Sequence, residues 1–226
     1  EKSKNFYNFI KKITKPSNVL NKITIIEGWS KIELDKELSK YFESFESIAF
    51  NQILADTYYF NKNDSFINFL NKLKKFKDEY LKRYDNHKLL KKYTFEEIFI
   101  IGSLLEKEGF DYEDKRLISS VILNRLDKNM KLQIDATVIY ALTDGKYDKF
   151  SKVTLKDLKY KHPYNTYIIK NLPPSPISYV GTKTIDIILE NYKSNFLFYF
   201  YNEKLKKHIF SENFEEHKRK LNEYRK

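Results

Sequence analysis

Thr94 to Tyr140 reads TFEEIFIIGSLLEKEGFDYEDKRLISSVILNRLDKNMKLQIDATVIY, two amphipathic helical patterns separated by a polar turn and followed by a short apolar run. Thr94-x-x-Glu97 is a capping box, in which hydroxyl and carboxylate satisfy backbone N–H groups that the first helical turn leaves unpaired. At about 100° per residue, Ile98, Ile101, Leu104 and Leu105 gather on one side of this helix. Glu108 falls among them, and Glu106 falls opposite, near Gly102 and Phe99. Gly109 is expected to stop the helix in the left-handed conformation.

Asp111 is placed to cap the next helix, which is expected to run to about Asp127 with Leu117, Ile118, Val121 and Ile122 inward. Arg125 lies within that apolar face and Asn124 at its edge. A buried guanidinium calls for a carboxylate partner, so Arg125 is either half of a structural ion pair or part of a site. Asp135 has two readings as well: the cap of a short helix over 136–142, or a site residue.

What remains is carboxylate chemistry, with Glu108 as the candidate. Burial beside Ile101, Leu104 and Leu105 disfavours its charged form and pushes its pKa towards neutrality. A glutamate protonated at neutral pH is what general-acid cleavage of a glycosidic bond requires. The competing reading is an ion pair with Arg125, which would push the pKa down.

Working outward, residues 1–20 form a polar, basic leading segment, and Lys22 to Glu27 reads as a strand ended by Gly28. Ser30-x-x-Glu33 is another capping box, opening a helix that carries Ile32, Leu34, Leu38 and Phe42. Phe45 to Leu54 is weakly amphipathic, and Ala55 to Phe60 is aromatic and extended in character. From Ser65 to Tyr84 a helix carries Phe66, Phe69, Leu70, Leu73, Phe76, Tyr80 and Leu81 on one face. His162–Tyr167 and Leu172–Pro176 are loops. Thr182 or Thr184 is expected to cap a helix ending near Tyr192. Phe196–Tyr201 and Lys207–Phe210 form a β-hairpin, and Asn213-x-x-Glu216 opens a closing basic helix. The fold class is α+β and helix-rich.

The 226 residues hold 41% hydrophobic and 16% aromatic side chains, with Gly 5 and Pro 5, which indicates a globular chain rather than a loop-built one. The net charge of +11 admits anionic partners, but the lysines are scattered and the aromatics sit in core-like stripes. A nucleic-acid interface is therefore disfavoured. Cys is 0, which excludes disulfides, thiolate zinc sites and a cysteine nucleophile. No P-loop, dinucleotide fingerprint, zinc-protease helix or nucleophile elbow occurs. His87, His162, His208 and His217 share no ligand spacing and read as ordinary hydrogen-bonding residues, so neither a metal nor an organic cofactor is expected. The chain begins at Glu1 rather than Met and contains no apolar run of about 18 residues. It is expected to be a processed or trimmed chain.

The ordered motifs LLEKEGF (104–110), NRL (124–126), LQIDATVIY (132–140) and YNTYIIKNLPPSPISYVG (164–181) resemble the YceG-like endolytic murein transglycosylases, the MltG family. Upstream, ITIIEGWS (23–30) and ADTYYF (55–60) are similar to that family's EGW and PDTY segments, so the resemblance spans about residues 21–215. It implies a helix-rich, lysozyme-like or YceG-like catalytic domain with a β-hairpin over 46–226. A small LysM-like β/α subdomain would precede it within 1–45.

It further implies cleavage of the β-1,4 bond between N-acetylmuramic acid and N-acetylglucosamine, leaving 1,6-anhydromuramoyl ends without cofactor or metal. One glutamate serves first as acid and then as base, and the second Glu of EKE matches the family's acid. Glu108 is thus the expected catalytic residue, supported by Glu106 and Arg125. Carried over by motif, Gln133, Asp135, Thr137, Tyr140, Asn165, Thr166 and Tyr167 would line the cleft, contact the sugar or hold the loop. Pro173, Pro174 and Pro176 would stiffen one wall. Peptidoglycan strands are the implied partner, alongside cell-wall synthesis machinery and a membrane reached through an N-terminal anchor outside this chain. The implied location is the periplasmic face of the inner membrane in the bacterial envelope. Departures from the pattern are Gly109 where the family usually has Thr, and Asn171 and Ser175 in place of glycines. Gly109 leaves open a non-catalytic peptidoglycan-binding or scaffold role on the same fold.

Overall fold

The computed structural model describes residues 20–147 and 152–224, a mixed helix-and-sheet architecture with two small sheets. The leading segment expected over residues 1–20 falls almost entirely outside the described residues. Strand β1 (Leu20–Thr24) pairs antiparallel with β2 (Thr57–Asn61), Leu20 opposite Asn61 and Thr24 opposite Thr57. Between them lies helix α1 (Lys31–Leu38), whose Ser30–Glu33 capping box forms as expected. Leu34 and Leu38 are fully buried, each worth about 2 kcal/mol of apolar burial. Ile32 departs from expectation: it is 50% exposed, because the first turn of α1 turns that face to solvent.

Helix α2 (Phe66–Leu81), capped by Ser65, lays Phe69 and Leu73 onto the same core as Ile23, Leu34, Leu38 and Phe60. The core that holds β1 and α1 therefore draws also on β2 and α2.

Helix α3 (Phe95–Glu108) is the hub of the second and larger core. It packs against α4 (Tyr112–Asp127), α5 (Asp135–Thr143) and α6 (Thr182–Glu190). Every residue from Ile98 to Leu105 is buried, so the helix has no solvent face along that length. The Thr94 capping box opens α3, and Asp111 caps α4 by accepting from Asp114 N–H, 2.9 Å.

Three expectations about helix ends are corrected. Gly109 is extended (φ −91°, ψ 145°) rather than left-handed, because the chain must run straight into the Asp111 cap. A Cβ there would collide with Lys115 Cγ, so the glycine serves a close approach. Gly181, rather than Thr182 or Thr184, caps α6, and no side chain closes the turn from within that segment. Asp135 is the first residue of α5 and caps nothing, since its carboxylate is engaged elsewhere.

The extended segment 177–181 runs between the two cores and is buried throughout. Tyr179 belongs to the smaller core, while Ile177 and Val180 belong to the larger one. Backbone bonds tie the segment to both loops of the small layer: Gly28 N to Tyr179 O (2.8 Å), Tyr179 N to Trp29 O (3.0 Å) and Ala55 N to Val180 O (2.8 Å). The chain then forms the hairpin of β3 (Phe198–Asn202) and β4 (Lys207–Ser211) and ends in α7 (Phe214–Tyr224), which packs on both strands. Among the described residues, no helix is long and apolar enough to cross a membrane.

Candidate active site

The two glutamates of EKE, two residues apart, meet opposite fates. Glu106 has a side chain only 2% exposed and is ion-paired with Lys115. Its other oxygen accepts Gly181 N–H at 3.0 Å, which closes the N-terminus of α6 from outside. Lys115 also donates to Thr184 Oγ1 at 3.1 Å. The helical wheel had set Glu106 on the side away from the core. Because α3 is enclosed all round, that face is buried too, and facing alone does not separate the two carboxylates. Their partners do.

Glu108 points into a cavity of about 500 Å3 lined also by Arg125, Leu132, Gln133, Asp135 and Tyr167, with the hairpin and α7 on its other side. The hairpin supplies Phe198 to Tyr201 and His208, and α7 supplies Phe214, His217 and Leu221. Tyr199 Oη donates to Glu108 Oε2 at 3.0 Å. Burial raises the Glu108 pKa to about 7, and the neighbouring Asp135 charge adds to the rise. The Tyr199 hydroxyl, His208 and the Ala136 N–H pull the other way. Burial likewise drives the Tyr199 phenol well above its ordinary value, so it remains a donor.

Arg125 does not form the ion pair considered from sequence. Its Nε donates to Leu197 O (2.6 Å) and its Nη1 to Lys131 O (3.1 Å), Leu132 O (2.7 Å) and, at the limit of bonding, Gln133 Oε1 (3.5 Å). Phe198 lies 5.1 Å from the guanidinium carbon. The guanidinium therefore collects backbone carbonyls from two segments at the cavity wall, and burial pulls its pKa below the ordinary value.

Gln133 adopts φ +53°, a left-handed conformation uncommon away from glycine, and its N–H is tied to Thr166 O at 3.1 Å. Thr166 Oγ1 accepts Ile134 N–H at 2.9 Å and lies 2.9 Å from Thr137 Oγ1. Thr137 and Thr166 are fully buried and outside the cavity lining; they staple the turn that projects Gln133 and Asp135 into it. Tyr167 Oη donates to Asp135 Oδ1 at 2.6 Å, which is why Asp135 is free of a capping role. Asn165 is also fully buried, its Nδ2 donating to Leu158 O (3.1 Å) and Tyr160 O (2.8 Å), so it shapes the loop from behind. Tyr140 stands away from the cavity, its ring 5.9 Å from Tyr147 and 4.6 Å from Tyr164. Pro173, Pro174 and Pro176 do not line the cavity either.

The structure thus gathers Glu108, Arg125, Gln133, Asp135 and Tyr167 and sets Glu106, Thr137, Tyr140, Asn165 and Thr166 behind them. Sequence reading missed Tyr199 and His208. The available signal was the hairpin pattern itself, in which Tyr199, Tyr201, His208 and Phe210 fall on one face of two paired strands. Among the described residues, no group of three or more His, Cys, Asp and Glu side chains could hold a metal ion.

Comparison with known proteins adds the following. The model of the YceG-like family matches residues 1–223. An endolytic murein transglycosylase of Bacillus subtilis (strain 168) is 32% identical over 169 residues, covering 74% of this chain and 46% of that protein. One from Streptococcus pneumoniae serotype 2 (strain D39) is 31% identical over 135 residues, covering 59% of this chain and 24% of that protein. The chain spans less than half the length of the curated relatives it matches. A crystal structure of a yceG-like protein from Listeria monocytogenes superposes with a TM-score of 0.75 at 27% identity, covering 95% of this chain and 81% of that one.

Proposed function

The chain belongs to the YceG-like family, and on that premise we propose that it is a peptidoglycan lytic transglycosylase with Glu108 as its acid and base. The observation that carries this reading is a glutamate in a cavity, bonded by the Tyr199 hydroxyl and, among the described residues, by no cation, with a pKa of about 7. At neutral pH a large share of Glu108 is protonated and can pass its proton to the glycosidic oxygen as the bond to N-acetylglucosamine breaks. The resulting carboxylate then takes the proton of the muramoyl 6-hydroxyl as that oxygen attacks the anomeric carbon. The proton lost in the first step is regained in the second, and the product carries a 1,6-anhydro end. Because the substrate supplies the nucleophile, no second carboxylate is needed, in contrast to most glycosidases. Asp135, engaged by Tyr167, acts here by holding the Glu108 pKa up.

Arg125 would keep the cavity wall positive, and Gln133 and Tyr167 would contact the sugar. The antiparallel β1–β2 pair with α1 between its strands is compatible with a LysM-like glycan-binding layer. The site of action would be the bacterial cell envelope, with peptidoglycan as the partner. The second reading is a glycan-binding scaffold without turnover, prompted by Gly109 in place of Thr. Here the glycine has another cause, the passage of Lys115 across it towards Glu106.

The test is digestion of purified glycan strands by the wild-type chain and Glu108→Gln, with mass spectrometry of the ends. Anhydro ends that vanish in the variant are expected. Reducing ends would mean hydrolysis, and binding without cleavage by either chain would favour the scaffold.

A further inference from the structure

One buried pair in the cavity wall enters the chemistry above only through the pull of His208 on the Glu108 pKa. His208 on β4 places Nδ1 3.0 and 2.9 Å from the two carboxylate oxygens of Asp114 on α4. The two side chains are only 5% and 13% exposed. The imidazole lies nearly parallel to Phe110, with ring centres 5.5 Å apart and planes at 24°. It meets Tyr199 edge-on at 5.3 Å and 87°. Its hydrogen bonds run through Nδ1, and the ring lines the same cavity as Glu108. Nε2 is therefore the nitrogen left for a ligand.

We propose that Asp114 and His208 form a sugar-reading pair: the carboxylate fixes the Nδ1–H tautomer, and Nε2 accepts a hydrogen bond from a hydroxyl or acetamido N–H of the glycan bound beside Glu108. A carboxylate on one ring nitrogen sets what the other nitrogen can do. A structural role alone would explain the Asp114 contact but not a ring held at the edge of the cavity between Phe110, Tyr199 and the paired Tyr201. Saccharides present hydroxyl donors around the ring, and an acceptor held rigid by stacking and by a carboxylate loses little entropy on meeting one. The inference rests on the transglycosylase reading and adds a contact to it.

Asp114→Asn is the informative variant. Asp114 Oδ2 also accepts Phe110 N–H at 3.1 Å, and that N–H will hold the carbonyl oxygen of an asparagine. The new NH2 then takes the Oδ1 position, 3.0 Å from His208 Nδ1 and beside the amide oxygen at 2.9 Å. Nδ1 meets a donor as well as an acceptor and the tautomer is no longer fixed, which releases the ring proton to Nε2 in part of the molecules. With purified, peptide-free glycan strands, the KM of Asp114→Asn should rise about tenfold, the worth of one neutral hydrogen bond, while kcat changes little. Nitrogen NMR of the imidazole should report Nδ1–H in the wild type and a larger share of Nε2–H in the variant. His208→Gln, which can offer Asp114 an N–H and the cavity an oxygen, should restore most of the affinity that His208→Leu loses.

A wild-type ring protonated on both nitrogens, or at Nε2 alone, overturns the proposal. So does an Asp114→Asn chain with lowered Tm and unchanged KM, or equal KM values for the Gln and Leu variants. In those cases cleavage by the wild type leaves the transglycosylase reading standing. A wild type that neither binds nor cleaves the strands ends both.

Discussion

At Glu108 the same physics that suits catalysis taxes stability. Its folded pKa of about 7 lies above the ordinary 4.5, so the native chain holds this proton more tightly than the unfolded chain does. The stabilisation from that proton is complete below about pH 4.5 and is lost as pH rises through 7, amounting to about 3 kcal/mol. Glu108→Gln removes the titration while keeping the shape and an acceptor for Tyr199. Thermal unfolding measured from pH 5 to pH 8 should show the variant gaining on the wild type as pH rises, while turnover falls by about 10²–10⁴. Parallel curves would mean that Glu108 does not titrate near neutrality in the folded chain. Tyr199→Phe removes a bond that favours the charged form. The alkaline limb of kcat/KM should therefore move to higher pH, and a limb that stays put would detach Tyr199 from the acid.

At the scale of elements, the C-terminal turn of α3 is fixed by the Glu106–Lys115 pair and the Gly181 N–H. Removing Glu106 as Ala strands an ammonium that is 16% exposed, and a loss of about 3–5 kcal/mol is expected in denaturant unfolding. Gly109→Thr should cost about 1–3 kcal/mol by overpacking against Lys115. The two sites share Lys115, so the cost of Gly109→Thr should shrink in a Lys115→Ala background; simple additivity would refute the collision.

The features legible in the sequence at this scale are local ones. Ser30, Thr94 and Asp111 cap their helices as expected, and Ser65 caps the helix expected to start with it, because a cap is decided within three residues. Asp135 and Gly181 escaped the same logic because Tyr167 and Glu106 reach them from other elements. Glu108 could be singled out from its own helix and from motif order. For Tyr199 and His208 the hairpin pattern shows only that they share a face, since what brings that face to Glu108 is packing between segments some 91 residues apart. The face argument for Glu108 over Glu106 rested on one apolar stripe, whereas α3 is buried on every side.

Across the whole molecule, the segment 177–181 holds two cores together, and Tyr179 Oη reaches Ile48 O at 2.5 Å. Tyr179→Ala would empty a fully buried site in the smaller core and remove that bond. A loss of about 3–5 kcal/mol is expected, visible as a lowered denaturant midpoint. Retention of wild-type stability would show that the two cores do not depend on this seam.

The cavity has one wall made by α3, α4 and the turn before α5, and another made by the hairpin and α7, some ninety residues later in the chain. Synthesis runs from one wall to the other, so a ribosome that has made the acid has not yet made the tyrosine that bonds it. Until the closing strands emerge, Glu108 stands in water, where a glutamate ionises well below neutrality and has no proton to give. A chain whose hairpin and α7 have not yet packed would therefore hold Glu108 without its proton, and the acid proposed for this site would be armed only when residues 198–224 close the cavity.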